Sequence, residues 1–225
     1  ALLLGRRLWH ETRIALFQQT VDVRDASQTA RGARLRVGFG ERWARDSVLD
    51  LWREDATRFR VMLASRVDED SRAALARGEV PSLRALRLHN GTVYRWNRPC
   101  YGVADGVAHL RIEQRAIPAG PTLVDEVANA ALFYGLMVAG DRHWGEVATR
   151  ASFDDARSNF LAAARYGIGA EFAWFGGRRV TAIELLANEL VPLAREGLLT
   201  AGCDVEDVNR YLDVIAERVA TRRTG

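Results

Sequence analysis

Four side chains spaced two apart, His109, Arg111, Glu113 and Arg115, are the residues in this chain best suited to chemistry. Leu110 and Ile112 alternate with them. In a β-strand successive side chains point to opposite faces, so the apolar pair takes one face and the polar row the other. Arginine offers phosphate oxygens a fork of donors, and a carboxylate is a hard ligand for a divalent cation. The row therefore reads as a site for a phosphate together with Mg²⁺. The alternative reading is the solvated face of a half-covered antiparallel sheet. Thr92–Asn97 alternates as well and places Arg95 and Asn97 on one face. Between the two segments, Arg98–Val107 holds Pro99, Gly102, Asp105 and Gly106, which are turn formers. An antiparallel hairpin over about 86–116 is expected. If its register allows, Arg95 joins Arg111, Glu113 and Arg115 around one anion.

The elements that must carry this row are legible on either side. The spacing of Leu4, Leu8, Ile14 and Phe17 predicts a helix over 3–20. Residues 22–34 are small and polar and read as a loop, followed by a short strand from Arg34 to Phe39. Ser47–Leu63 is amphipathic, and Val67–Arg77 reads as a short charged helix that Pro81 closes. Beyond Pro121 the pattern turns helical. Thr122 with Asp125 opens one helix and Ser152 caps the next, which ends at Gly167 and Gly169. A small hairpin is expected around Gly176-Gly177. Thr181 with Glu184 forms a capping box for a helix that Pro192 should kink or split. Asp204 caps the last helix, with Val205, Val208, Leu212, Ile215 and Val219 on its apolar stripe. These helices read as a packed layer.

Composition narrows the function. All 32 basic residues are arginine, so chemistry that requires a lysine, such as a Schiff base, is excluded. Net charge is only +3, with 29 acidic residues interspersed, which argues against a dedicated nucleic-acid binder. The Arg-rich stretch Gly32–Arg36 is a weak pointer to polyanions. Cys100 and Cys203 lack metal-site spacing. The four histidines, His10, His89, His109 and His143, are isolated. The opening Leu run is too short for a signal peptide, and no apolar run is read as long enough to span a membrane. A cytoplasmic location with no membrane partner is expected. The chain starts without Met or a helix cap, and a piece of a longer protein is expected.

Several segments together resemble a known family. His89–Pro99, His109–Arg115, Pro118–Thr122 and Glu126–Ala130 are similar to the C-terminal half of glutamate–cysteine ligase-like proteins. These are carboxylate–amine ligases with a glutamine synthetase-like fold. The similarity extends to Glu11–Phe17 and Phe160–Gly167 and so touches nearly the whole chain. It implies an α+β fold: a partial glutamine synthetase-like antiparallel sheet packed with a C-terminal helical layer. The expected division is 1–121, part of the catalytic domain, and 122–225, the helical part. It implies ATP and Mg²⁺ as cofactors, glutamate and an amine such as cysteine as substrates, and amide formation through an acyl phosphate. A homo-oligomer is also compatible with it. By position, Glu113 matches a metal ligand, Arg95, Arg98 and Arg111 match the ATP-phosphate arginines, and Arg115 with Arg95 matches the pair acting near the transferred phosphoryl group. Arg13 and Arg165 match substrate contacts, with a salt bridge as the alternative for each; Asn129 is equally well read as structural.

The chain departs from the family in one respect. The superfamily draws further metal ligands from a Glu-x-Glu strand and a His- or carboxylate-bearing strand, and neither pattern is found here. A single Glu makes a poor Mg²⁺ site. The expectation is a chain with part of an active site, the alternative a ligase-like module used for binding or oligomerisation.

Overall fold

A computed structural model describes residues 2–3, 6–22, 24, 34–66 and 69–224. Most of the expected 22–34 loop lies outside the described residues. Helix dominates, and the strands among the described residues form two-stranded sheets. The chain divides into two compact units, one made of residues 1–13 with 117–225 and the other of 14–116. The cut thus falls after Ala116, where the hairpin ends, and the first residues go with the C-terminal unit. A main-chain bond explains their allegiance: the Glu11 N–H donates to the Ala164 carbonyl at 2.8 Å.

The chain opens on β1 (Leu2–Leu3) and β2 (Arg6–Arg7), paired antiparallel. Helix α1 covers Thr12–Thr20 only, in place of the 3–20 helix expected. Its start is set by Thr12, whose hydroxyl donates to the Trp9 carbonyl and accepts from the Trp9 N–H.

In the 14–116 unit, β3 (Val37–Gly38) is followed by α2 (Val48–Arg58), α3 (Ser71–Ala76) and α4 (Arg84–Gly91). Ser47 caps α2 and Asp70 caps α3 through their side-chain oxygens. Helix α4 was unexpected. Leu86-Arg87-Leu88-His89 alternates like a strand, but the helix is held by tertiary bonds, with the Asn90 side chain donating to the Pro99 carbonyl at 2.8 Å and the His89 ring on the Phe59 carbonyl. Strand β4 (Tyr94–Arg95) runs parallel to β3. Trp96, Val93 and Val37 are buried there, and the Phe17 ring meets Tyr94 and Trp96 edge-on.

The hairpin itself is β5 (Asn97–Ala104) with β6 (Val107–Gln114). Its loop is two residues, Asp105-Gly106, rather than the ten expected. Both have positive φ, 51° and 76°. This backbone twist suits a tight hairpin turn between right-twisted strands. Cys100 consequently lies in a strand and is buried, not in a loop.

In the other unit, α5 (Leu123–Trp144) starts at the Thr122–Asp125 capping box. Then come α6 (Phe153–Tyr166), capped by Ser152, and a hairpin of β7 (Glu171–Trp174) and β8 (Arg178–Thr181) around Gly176-Gly177. Next is α7 (Ala182–Leu185), opened by the Thr181–Glu184 box. A π-turn over Leu186–Leu190 joins it to α8 (Val191–Thr200) with helical backbone at both junctions, so the helix is locally distorted just before Pro192 rather than split. Asp204 caps α9 (Val205–Thr221). Ala128, Val191, Ala194, Leu198, Val208, Leu212 and Ile215 form the core between α5, α8 and α9.

Helix α5 corrects the reading that no segment has membrane-spanning length. It is 22 residues long, and an 18-residue stretch of it has mean hydropathy 1.3, which suffices by length and composition. Its charged residues, Asp125, Glu126, Asp141 and Arg142, gather at its two ends. In the structure it packs on α8 through an unusually close crossing. A Cβ on Gly135 would fall 2.2 Å from the Ala194 carbonyl oxygen, and one on Gly197 would fall 2.0 Å from the Gly135 oxygen.

Replacing a helical Gly by Ala gains about 1 kcal/mol of helix propensity. Here the collision is with main chain, which no rotamer relieves, and overpacking costs about 1–3 kcal/mol or more. Gly135→Ala and Gly197→Ala are each expected to lower stability in denaturant unfolding. A neutral or stabilising result would show that the crossing loosens freely.

Candidate functional site

The hairpin register decides which side chains share a face. Arg98 stands opposite Glu113, Cys100 opposite Arg111, and Gly102 opposite His109. Their side chains form one face; Leu110 and Ile112 occupy the other, where both are more than half exposed. The alternation read from the sequence is therefore correct for β6. Arg115 lies just past the strand, with its N–H on the Trp96 carbonyl at 2.8 Å.

Glu113 is the centre of this face. Arg98 NH2 donates to its Oε2 at 2.8 Å, and Arg115 Nε lies 3.2 Å from its Oε1. The Cys100 thiol approaches Oε2 at 3.8 Å. The Arg115 guanidinium also stacks over the Phe17 ring, 5.4 Å from its centroid. The Arg98 hydrogen bond, with the charges of Arg98 and Arg115, holds the Glu113 carboxyl below its ordinary range against the opposing effect of burial. Burial works to lower Arg98, but the bond and charge of Glu113 leave it raised.

Arg111 is different. It is exposed, and its NH1 meets His109 Nε2 at 3.1 Å. A guanidinium only donates, so in this contact the acceptor is His109 Nε2. The two side chains lie over Gly102, where a Cβ would fall 2.4 Å from His109 Nε2 and 3.3 Å from Arg111 NH1. The absence of a side chain at 102 is what lets them lie flat. Gly102 and Cys100 were missed as members of this face because 98–104 reads as loop. The signal that finds them is Asp105-Gly106, a strong two-residue hairpin signature.

Arg95 does not join this face, which corrects its assignment to phosphate. It sits on β4, 3 % exposed. Its Nε and NH2 both donate to Asp55 Oδ1, at 3.0 and 2.7 Å, and its NH1 donates to the Phe39 carbonyl at 2.7 Å. Glu54 lies 3.5 Å away. A Cβ on Gly40 would fall 2.3 Å from Arg95 NH1, so the chain closes over the guanidinium. Burial pushes the Asp55 carboxyl up, and the bonds from Arg95 pull it back. In the described structure Arg95 is an internal tie.

Arg13 and Arg165 belong to the other unit. Arg13 Nε is 3.6 Å from Glu11, and Arg165 lies over the Trp9 ring at 4.8 Å. Asn129 accepts from Arg218 at 2.8 Å, and Arg218 also donates to Asp125, so the structural reading of Asn129 holds. In the Arg-rich stretch Arg34 pairs with Glu41, and Arg36 is buried against the Thr92 and Arg60 carbonyls.

The face fits a phosphate better than a metal. Two guanidinium groups hold one carboxylate and a third, Arg111, stands on the same face beside His109, leaving net positive charge and open donors on Arg111. Mg²⁺ requires near-octahedral oxygen coordination. Both Glu113 oxygens already face arginines, and no group of three His, Cys, Asp or Glu suited to a metal occurs among the described residues. Glu113 alone does not fit as a Mg²⁺ site. Comparison with protein-family models, with curated proteins and with solved structures gave no match.

Two expectations follow. Removing one partner of a buried ion pair strands the other, at a cost of about 3–5 kcal/mol. Arg95→Gln should lower stability on that scale in denaturant unfolding, and a loss under 1 kcal/mol would show that the Arg95–Asp55 tie is dispensable. The second concerns acid. The folded Glu113 carboxyl lies below its ordinary value of 4.5. Its contribution is therefore complete above that value and is lost as pH falls through the lower folded value. Glu113→Gln should flatten the stability profile in that acid window, read by thermal melts against pH. An unchanged slope would assign the acid sensitivity to other carboxylates.

Proposed function

We propose that this chain is part of the catalytic region of an ATP-dependent carboxylate–amine ligase of the glutamate–cysteine ligase type. The observation that carries the reading is the set Arg98, Arg111, Glu113 and Arg115 on one face of a tight hairpin. In the reaction, the γ-carboxylate of glutamate attacks the γ-phosphorus of ATP and ADP leaves. An amine such as that of cysteine then attacks the acyl carbon, and phosphate departs as the amide forms. Phosphoryl transfer depends on positioning and charge neutralisation more than on covalent help from the protein. Arginines supply both functions.

Their roles divide by partner. Arg111, exposed and without a carboxylate partner among the described residues, is free to take phosphate oxygens. Arg98 and Arg115 are held in place by Glu113 and preorganised beside it. ATP supplies the phosphoryl group that activates the carboxylate. Mg²⁺, which the reading also includes, would take most of its ligands from residues other than those on this face. The glutamine synthetase-like sheet is part of the same proposal. Leu110 and Ile112, apolar and exposed on β6, are what a strand presents when a covering layer belongs to the rest of a larger sheet.

The commitment of both Glu113 oxygens to arginines favours a second reading, a ligase-like module that binds nucleotide or assembles without turnover. Calorimetric titration of ATP, with Mg²⁺ and with chelator, into the chain and its Arg111→Ala and Glu113→Gln forms separates these. Loss of one charge-assisted contact costs roughly ten-fold or more in affinity, so Arg111→Ala should weaken both nucleotide forms by that factor. Glu113→Gln should weaken the Mg²⁺ form more if Glu113 also meets the metal, and both forms equally if it only holds the arginines. Affinity untouched by Arg111→Ala would remove the nucleotide from this face.

A further inference from the structure

A second group of arginines in the 14–116 unit lies outside the hairpin face. Ser65, Ser82, Arg84, Arg87 and Leu88 line a broad, solvent-open cavity of about 480 Å³. Arg84 and Arg87 stand three apart on α4, which brings their side chains to the same side of the helix.

The state of their partners distinguishes them. Arg34, Arg58, Arg77, Arg95 and Arg98 each meet a carboxylate. Arg84 and Arg87 are exposed, and neither has a carboxylate partner among the described residues. Ser65 adds a hydroxyl that is likewise uncommitted there. Among the described residues, the acid bonded to this wall is already engaged. Glu69 accepts from the Ser71 hydroxyl, the Ser82 N–H and the Leu83 N–H, and so fixes the turn that leads into α4 instead of neutralising the arginines. Among the described residues the wall thus carries two positive charges, many N–H donors and no free carboxylate, with Leu88 as an apolar flank.

We propose that this cavity binds the phosphate group of a small phosphate monoester, with Arg84 and Arg87 as charged ligands and Ser65 as a neutral donor. A dianionic tetrahedral group matches it because two guanidinium forks can each bond two of its oxygens. A monocarboxylate would leave one fork without an acceptor. The apolar flank beside Leu88 accommodates the carbon skeleton of the ester. The site is separate from the nucleotide face and does not rest on the ligase reading.

Calorimetric titration of inorganic phosphate and of glycerol 3-phosphate into the chain, at fixed ionic strength, tests this. Arg84→Gln with Arg87→Gln should weaken both probes by roughly ten-fold or more. Arg45→Gln with Arg72→Gln removes the same charge from exposed positions elsewhere and should leave affinity unchanged. Arg84→Lys with Arg87→Lys keeps the charge without the fork and should retain an intermediate affinity, which guards against a folding defect in the Gln pair. The proposal is overturned by equal loss in the 84/87 and 45/72 pairs, by wild-type affinity in the lysine pair, or by no binding of either probe.

Discussion

Arg95 lies at the point where the elements of the 14–116 unit meet. Its guanidinium ties β4 to Asp55 on α2 and to the Phe39 carbonyl just beyond β3. A buried ion pair is costly to desolvate, and its net worth against a hydrophobic alternative is small. What it gives is direction, since a fork of donors accepts few geometries. Here it fixes the approach of α2 to the strand pair. Trp52, on the same helix, donates to the carbonyl of Pro99, which is already in β5. Positioning therefore passes from a buried arginine, through one helix, to the strand that carries Arg98. On the polar face of the hairpin only His109 and Arg111 are exposed, Arg98, Glu113 and Arg115 are half-buried, and the strand beneath is anchored by buried hydrogen bonds.

The sequence made the helical layer plain, because capping residues act locally and apolar stripes repeat over many turns. The Thr122, Ser152, Thr181 and Asp204 starts all sit where side-chain chemistry places them. The faces of β6 were legible for the same reason, since alternation is a property of the strand itself. Arg95 was misread because the alternation of Thr92–Asn97 gives a parity without naming a partner strand. The actual neighbour of β4 is β3, more than fifty residues earlier in the chain. Helix α4 was missed because its short apolar pattern fits two periods, and the deciding bonds come from Asn90 and His89 to distant carbonyls. Local signals failed wherever a buried polar contact over long sequence separation made the choice.

The same logic bears on the candidate site. Residue types alone suggested a carboxylate for metal and arginines for phosphate, two separable duties. In space the carboxylate and two of the arginines form one bonded unit, leaving Arg111 as the outward-facing member. A charge read singly from a sequence looks available, whereas the folded pairings show which charges are already committed. That distinction also brings Arg84 and Arg87 forward, although no motif marks them.

The two-residue turn at Asp105-Gly106 has a consequence beyond closing the hairpin. Arg98 and Glu113 face one another seven residues away on either side of it, so the turn sets the phase of everything between. One residue inserted or deleted there would shift one strand against the other by a single step. Because side chains alternate with a period of two, the shifted strand would present its former underside. Arg98 and Cys100 would then be carried away from Glu113 and Arg111, or the acid and arginine of β6 would trade places with Leu110 and Ile112. The composition of the strands would be intact and the face dismantled. The turn thus works as a phase reference for the site, although neither of its residues belongs to it.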